Sequence, residues 1–177
     1  TTDFNNDDRL DIVVTNTGND TIGVFLGYGN GSFSDQILYS TGLDSQPYSI
    51  AVADINNDRQ MDIIVVNYGT HNIGVFLGHG NGTFFLSEMY STGAMSHPSS
   101  LGIGDFNKDN QLDVAITNSA SSEVLIVLGT GNGTFRSETR ISLGYGAQPI
   151  FLALADLNND NWTEIVVVNY GFMNIEM

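Results

Sequence analysis

The sequence contains no cysteine, so neither disulfides nor thiolate metal sites are available to it. Basic residues are scarce: 5 Lys and Arg stand against 20 Asp and Glu, leaving a net charge of −15. Such a chain repels phosphate backbones and anionic bilayers, which excludes nucleic acid as a partner and favours cations. No apolar run approaches the roughly 20 residues of a membrane-crossing helix, so no membrane insertion is expected of this segment. Thr1 to Leu10 is polar and acidic, unlike the apolar centre of a signal peptide. Segments with helical periodicity are missing as well. What the 177 residues do have is 20 glycines and short apolar runs, with 41% hydrophobic and 14% charged residues. That balance supports a folded core built from strands and tight turns.

A repeat organises the chain. The string DFNNDDRLD at 3–11 returns in varied form as DINNDRQMD at 54–62, DFNKDNQLD at 105–113 and DLNNDNWTE at 156–164, each time 51 residues on. GYGNGSF at 27–33 returns at 78–84 and 129–135 with the same offset, and Pro47, Pro98 and Pro149 and Asn16, Asn67, Asn118 and Asn169 keep it too. Within each repeat four strands are predicted. The first is short and rich in small residues (Ile50–Ala53, Leu101–Gly104, Leu152–Ala155), as an innermost strand must be. The second is apolar on both faces (Ile12–Thr15, Ile63–Val66, Val114–Thr117, Ile165–Val168), as expected between two neighbouring sheets. The third covers Ile22–Leu26, Ile73–Leu77 and Val124–Leu128. The fourth starts at Phe33, Phe84 or Phe135, runs about eight residues and carries the polar character of an outer edge. Four short strands per 51-residue unit describe an all-β fold of β-propeller blades, each of four antiparallel strands. The chain then divides into a blade lacking its inner strand (3–46), two full blades (47–97 and 98–148) and a truncated one (149–177) that stops in a third strand. A propeller usually closes with 4–8 blades, so this partial propeller, a single region over 1–177, is expected to need further blades from a parent chain or a second copy.

The nonapeptides carry the chemistry. Positions 1, 3, 5 and 9 are Asp3, Asn5, Asp7 and Asp11 in the first loop. They are Asp54, Asn56, Asp58 and Asp62 in the second, and Asp105, Asn107, Asp109 and Asp113 in the third. In the fourth they are Asp156, Asn158, Asp160 and Glu164. Position 7 (Arg9, Gln60, Gln111, Trp162) offers its backbone carbonyl. Alternate residues of a curled loop point inward, so an oxygen set converges from 1, 3, 5 and 7, closed by position 9. Such a set suits calcium, whereas zinc would want His or Cys and magnesium a smaller, better hydrated site. Asn and Asp are also ordinary turn formers. Against a mere turn stands the crowding: 13 of the 20 acidic residues lie in these four nonapeptides, where they repel one another unless a cation is bound. An EF-hand is excluded, because position 6 is never Gly and position 12 never Glu.

Asp-x-Asn-x-Asp followed by Asp at position 9, an apolar strand and a Gly-x-Gly-Asn-Gly-Thr-Phe turn resembles the FG-GAP/VCBS repeat family. That family includes the propeller of integrin α chains and many secreted or surface proteins. The resemblance spans essentially the whole chain and implies calcium at the positions just named and an extracellular location. Two features depart from the pattern: Asp8, Arg59, Asn110 and Asn161 stand where position 6 is usually Gly, and the Gly-Ala-Pro element is replaced by Thr17-Gly18, Tyr68-Gly69 and Tyr170-Gly171.

The remaining features are lesser. Asn30-Gly31, Asn81-Gly82 and Asn132-Gly133 fit tight hairpin turns with positive φ at both residues, and with Ser32, Thr83 and Thr134 they form N-glycosylation acceptors. His71, His79 and His97 do not repeat and read as exposed loop residues, while Tyr28, Tyr68, Tyr145 and Tyr170 lie in loops that could form a recognition surface. The non-repeating acids Asp20, Asp44, Glu123 and Glu176 are scattered, so no catalytic cluster is expected. These observations favour a calcium-stabilised, extracellular, non-catalytic scaffold for adhesion or ligand recognition, with protein or glycan as the unidentified ligand. A multivalent lectin and the scaffold of a polysaccharide-acting enzyme are the alternatives.

Overall fold

The computed structural model describes residues 1–171 and 174–176. Its strands fall into four antiparallel sheets, in chain order. The first holds β1 (Ile12–Asn16), β2 (Thr21–Phe25) and β3 (Ile37–Ser40). The second holds β4 (Pro47–Ala53), β5 (Asp62–Asn67), β6 (Asn72–Gly78) and β7 (Phe84–Ser91). The third repeats it with β8 (Pro98–Gly104), β9 (Asp113–Asn118), β10 (Glu123–Gly129) and β11 (Phe135–Ser142). The fourth comprises β12 (Pro149–Ala155), β13 (Glu164–Asn169) and β14 (Asn174–Glu176). Met177, where the sequence reading ends the chain, lies outside the described residues, as does the side chain of Glu176. Among the described residues the helical content is a single 3-10 turn at Thr17–Asn19.

The sheets stack face to face as propeller blades do, and the alternation along β5 shows why. Ile63 and Val65 pack back onto Ile22, Val24 and Phe4 of the first blade, while Ile64 and Val66 pack forward onto Leu101, Val114 and Ile116 of the third. A strand with neighbours on both faces has no polar side, and all six residues of β5 are buried. Burying Ile or Val fully contributes about 1.5–3 kcal/mol each, so these second strands are the main source of cohesion between blades. β7 lies at the outer edge and is largely exposed. β4, β8 and β12 lie side by side at the inner edge.

Three details differ from the sequence reading. The inner strands start earlier, at Pro47, Pro98 and Pro149, each through a β-bulge that leaves Tyr48, Ser99 and Ile150 out of the ladder. The first blade's outer strand begins at Ile37 rather than Phe33. There the Ser34 hydroxyl accepts the Leu26 amide (2.9 Å) and the Ser34 amide donates to the Leu26 carbonyl (2.8 Å), closing the hairpin locally. The Asn-Gly turns are also not the expected type. Positive φ falls on the glycines either side of the Asn (Gly29 at 75° and Gly31 at 87°), not on Asn30. Asn30 Oδ1 instead accepts the Ser32 amide at 3.0 Å, and Asn81 and Asn132 do the same for Thr83 and Thr134. An Asn that closes its own turn this way has no need of positive φ.

Candidate metal-binding loops

The second, third and fourth acidic loops follow inner strands, and all four loops share one hydrogen-bond plan. The carboxylate at position 1 caps the curl from inside: Asp54 Oδ1 accepts the Asp58 amide (3.1 Å) and its Oδ2 the Arg59 amide (2.8 Å). Asp3, Asp105 and Asp156 accept the same two amides of their own loops. Desolvation pushes the Asp3 carboxyl up, but the amides of Asp8, Asn5 and Asp7 outweigh it and hold the group below the ordinary carboxylate range. The amide nitrogen at position 3 donates to the carboxylate at position 5, as from Asn56 to Asp58 at 2.8 Å. That position-5 carboxylate accepts the amide of position 7, as from Gln60 at 2.7 Å.

Curling so tightly takes two left-handed residues per loop. Position 4 (Asn6, Asn57, Lys108, Asn159) has φ of 59–62° and position 6 (Asp8, Arg59, Asn110, Asn161) has φ of 62–68°. The missing Gly at position 6 is therefore a real cost, about 1–2 kcal/mol for a side chain in this region, offset partly by the greater freedom Gly loses on folding. Arg59→Gly is expected to stabilise the chain by about 0.5–1 kcal/mol in urea titration. A stability unchanged or lowered would mean that the Arg59 side chain contributes something its exposed position does not reveal.

Position 9 is set deeper than the rest of the loop. Asp11, Asp62 and Asp113 are fully buried. Each accepts the amide of position 2 on one oxygen (Phe4 2.7 Å, Ile55 3.0 Å, Phe106 2.9 Å). The other oxygen takes the amide of a glycine at the end of β6 (Gly78 2.8 Å) or β10 (Gly129 2.8 Å), or just past β2 (Gly27 2.7 Å). These carboxylates are struts that tie each loop to its own sheet. The glycine is required, because a Cβ on Gly78 would collide with the Met61 carbonyl oxygen at position 8, and Gly27 and Gly129 stand in the same relation to Leu10 and Leu112. Burial pushes the Asp62 carboxyl up to about 6, with Asp58 and Asp54 adding to the rise while the two amides oppose it; Asp113 is raised for the same reasons. In the fourth loop Glu164 reaches the position-2 amide of Leu157 (2.8 Å), but its second oxygen accepts the Asn158 amide nitrogen (3.2 Å).

Among the described residues no three Asp, Glu, His or Cys side chains stand together as a ready ligand set. Each loop offers the carboxylates of positions 1 and 5, the position-3 amide oxygen and the position-7 carbonyl, with the position-9 carboxylate behind them. All are hard oxygens, the chemistry that calcium prefers. In the first loop Asn5 Oδ1 is buried without a hydrogen-bond partner among the described residues, whereas Asn56, Asn107 and Asn158 use that oxygen to accept the position-5 amide. In donor chemistry, the residues fit a hard cation.

Consecutive loops are also clasped to one another, which the sequence reading missed. The position-4 amide nitrogen of Asn6 donates to Gln60 Oε1 of the next loop (2.7 Å) and to the Gly80 carbonyl (3.0 Å). Asn57 does the same to Gln111 (2.8 Å) and Gly131 (3.2 Å). In the third pair Lys108 Nζ lies 3.8 Å over the Trp162 ring, so a cation–π contact replaces the amide pair. Position 7 thus has a side-chain role as well as a carbonyl. The pairing of residue types at positions 4 and 7, 54 residues apart, was the available signal. A double-mutant cycle of Asn57→Ala with Gln111→Ala should give a coupling of about 0.5–1 kcal/mol. Strict additivity would show the clasp to be idle.

The family's sequence profile, described as the FG-GAP-like repeat, matches three times, at residues 3–65, 56–116 and 105–167. The chain belongs to the FG-GAP-like repeat family. No curated protein sequence matches this FG-GAP-like chain at a significant level. Among solved structures it is similar to a streptogramin B lyase, with a TM-score of 0.61 and 16% identity over 94% of this chain and 50% of that one. It is also similar to the V. cholerae biofilm matrix protein Bap1, with a TM-score of 0.52 and 22% identity over 93% of this chain and 23% of that one. At these identities the likeness speaks for the β-propeller fold alone. The FG-GAP-like chain spans half the length of the first of these proteins and under a quarter of the second.

The other residues singled out from sequence are dispersed. Tyr28 lies at the acidic-loop end of its blade, whereas Tyr68, Tyr145 and Tyr170 lie at the opposite end, so the four do not form one surface. His71 and His97 are half-buried rather than exposed, with ring centroids 4.5 Å apart. Asp20 accepts the amides of Asp44 and Gln46 (both 2.9 Å), and Glu123 pairs with Arg140.

Proposed function

We propose that this segment is a calcium-stabilised, extracellular propeller scaffold for adhesion or ligand recognition, without catalysis of its own. One observation carries the reading: an oxygen-rich curl with the same hydrogen bonds recurs four times at one end of the blades. Asp at positions 1 and 5, Asn at position 3 and the position-7 carbonyl would hold the ion in each loop. Position 9 would close the site from behind while fixing the loop against its sheet. Bound calcium would supply positive charge that offsets the crowded carboxylates, a structural contribution only. Membership of a repeat family and a fold shared with a biofilm matrix protein support an extracellular scaffold. Asp20 and Glu123, two of the acids outside the repeat, are occupied in loop capping and an ion pair, which supports a non-catalytic reading. The test is calorimetric titration of calcium into the chelator-stripped chain. Binding at several sites, lost stepwise in Asp58→Ala and Asp109→Ala, is expected; no heat at millimolar calcium would reduce the loops to turns.

A further inference from the structure

At the end of the blades opposite the acidic loops lies a cavity of about 530 Å³, within the usual range of small-ligand sites, roughly 300–1,000 Å³. Three consecutive inner strands open onto it through their β-bulges, with the bulged residues Tyr48, Ser99 and Ile150 in its lining. A bulge re-aims a side chain at the expense of a ladder bond. Here the bulges share one place in each repeat, yet the residues they present differ completely. The framework around them holds the 51-residue period: Pro47, Pro98 and Pro149 precede the bulges, and Asn67, Asn118 and Asn169 pair with those prolines. Immediately beside that framework the period is kept only in part: Tyr68 recurs as Tyr170 but gives way to Thr17 and Ser119, and Gln46 recurs as Gln148 but gives way to His97. In a repeat protein, residues the fold requires recur; divergence gathered in one cavity marks a site adapted to a ligand.

The lining is also held ready. Gln46 and Gln148 of the lining, and His97 behind Tyr68, sit at positive φ of 48–49°, a strained conformation for such side chains. Three different groups brace them: the Asp20 carboxylate accepts the Gln46 amide at 2.9 Å, His71 Nδ1 the His97 amide at 3.4 Å, and the Ser122 hydroxyl the Gln148 amide at 3.5 Å. Tyr68 lies against the His97 ring at 4.5 Å, and Tyr48 stands 6.0 Å from Tyr68 with its ring tilted and mostly exposed. The cavity therefore offers two phenol faces, with primary amides at its rim, and no Asp, Glu, Lys or Arg in its lining.

We infer that this cavity binds a neutral saccharide, with a pyranose ring against Tyr48 and Tyr68 and its hydroxyls on Gln46 and Gln148. A sugar ring combines an apolar C–H face with a polar edge, which is the pairing the lining presents. An anionic ligand would be repelled by the chain's net charge of −15, and no carboxylate lines the cavity to hold a cation. The inference rests on reading the chain as a recognition scaffold.

The test is an array of neutral mono- to trisaccharides probed with the whole chain in 2 mM calcium, then calorimetric titration of the best binder. Binding that weakens about ten-fold in Tyr48→Ala and several-fold in Gln148→Ala, with the melting curves unchanged, is the expected result. No saccharide bound at millimolar concentration, binding indifferent to both substitutions, or capture of peptides in place of sugars overturns it. Repeating the titration in chelator separates the two readings: sugar binding without any stabilisation by calcium removes the calcium scaffold and leaves the site. Calcium stabilisation without sugar binding does the reverse.

Discussion

Adding a chelator to the calcium-loaded chain should lower its melting temperature steeply. Each loop crowds carboxylates whose mutual repulsion the folded state must bear when no ion is present, and an ion that binds only the folded state removes that burden. For extracellular-type sites with dissociation constants of about 10⁻⁴–10⁻³ M, ten-fold excess calcium stabilises by roughly 1.4 kcal/mol per site. Three or four sites together reach roughly 4–6 kcal/mol, comparable with the whole stability of a small domain. The loops should not contribute equally. Glu164 is one methylene longer than the Asp at position 9 of the other loops, with one oxygen engaged by the Asn158 side-chain amide and the other by the Leu157 amide. Asp58→Ala should accordingly lower the calcium-loaded melting temperature more than Asp160→Ala does. A melting curve that chelator leaves in place, in low-salt buffer, would contradict the calcium reading altogether.

The second large effect is expected from Asp62→Ala. The substitution leaves the Ile55 and Gly78 amides without acceptors in a fully buried place, at about 1–3 kcal/mol for each stranded group. A loss of roughly 2–5 kcal/mol should appear in urea titration, with calcium absent as well as present, because the strut is protein-to-protein. Its pH dependence has a definite sign. The folded Asp62 takes up a proton near pH 6, the unfolded one only near 3.8. Between about pH 4 and 6 the folded chain therefore holds a proton that the unfolded chain lacks, and this contribution to stability is lost as pH rises through 6. A difference of about two pH units corresponds to about 3 kcal/mol. In chelator, the stability gap between the parent chain and Asp62→Ala should widen as pH is lowered from 7 to 5. A gap that narrows would show that the buried carboxylate is stabilised as an anion.

Much of this arrangement could be read before any coordinates. A 51-residue period held by Pro, Asn, acidic loop and glycine turn without insertion implies identical units, and units apolar on both faces must stack. Ile63 to Val66 showed this directly, since a strand with neighbours on one side only would alternate. The gathering of side-chain oxygens in the loops was likewise legible, because residues at positions 1, 3 and 5 of one tight curl are held together by local backbone geometry. Local geometry could not decide where position 9 would turn. Asp62 lies next to Met61 in sequence, yet its oxygens are claimed by amides 7 and 16 residues away, and only the meeting of loop and third strand brings those amides within reach. The clasp of Asn57 on Gln111, the bracing of Tyr68 by His97 and the cavity at the bulges were undetermined for the same reason. Each joins residues of different blades, or of one blade's distant turns. The sequence by itself determined the repeating unit, its strands and the oxygen donors of its loops, because those depend on neighbours along the chain. The tertiary structure alone decided which polar groups meet between units, because a hydrogen bond of 3 Å is set by how the sheets pack and not by which residues they contain.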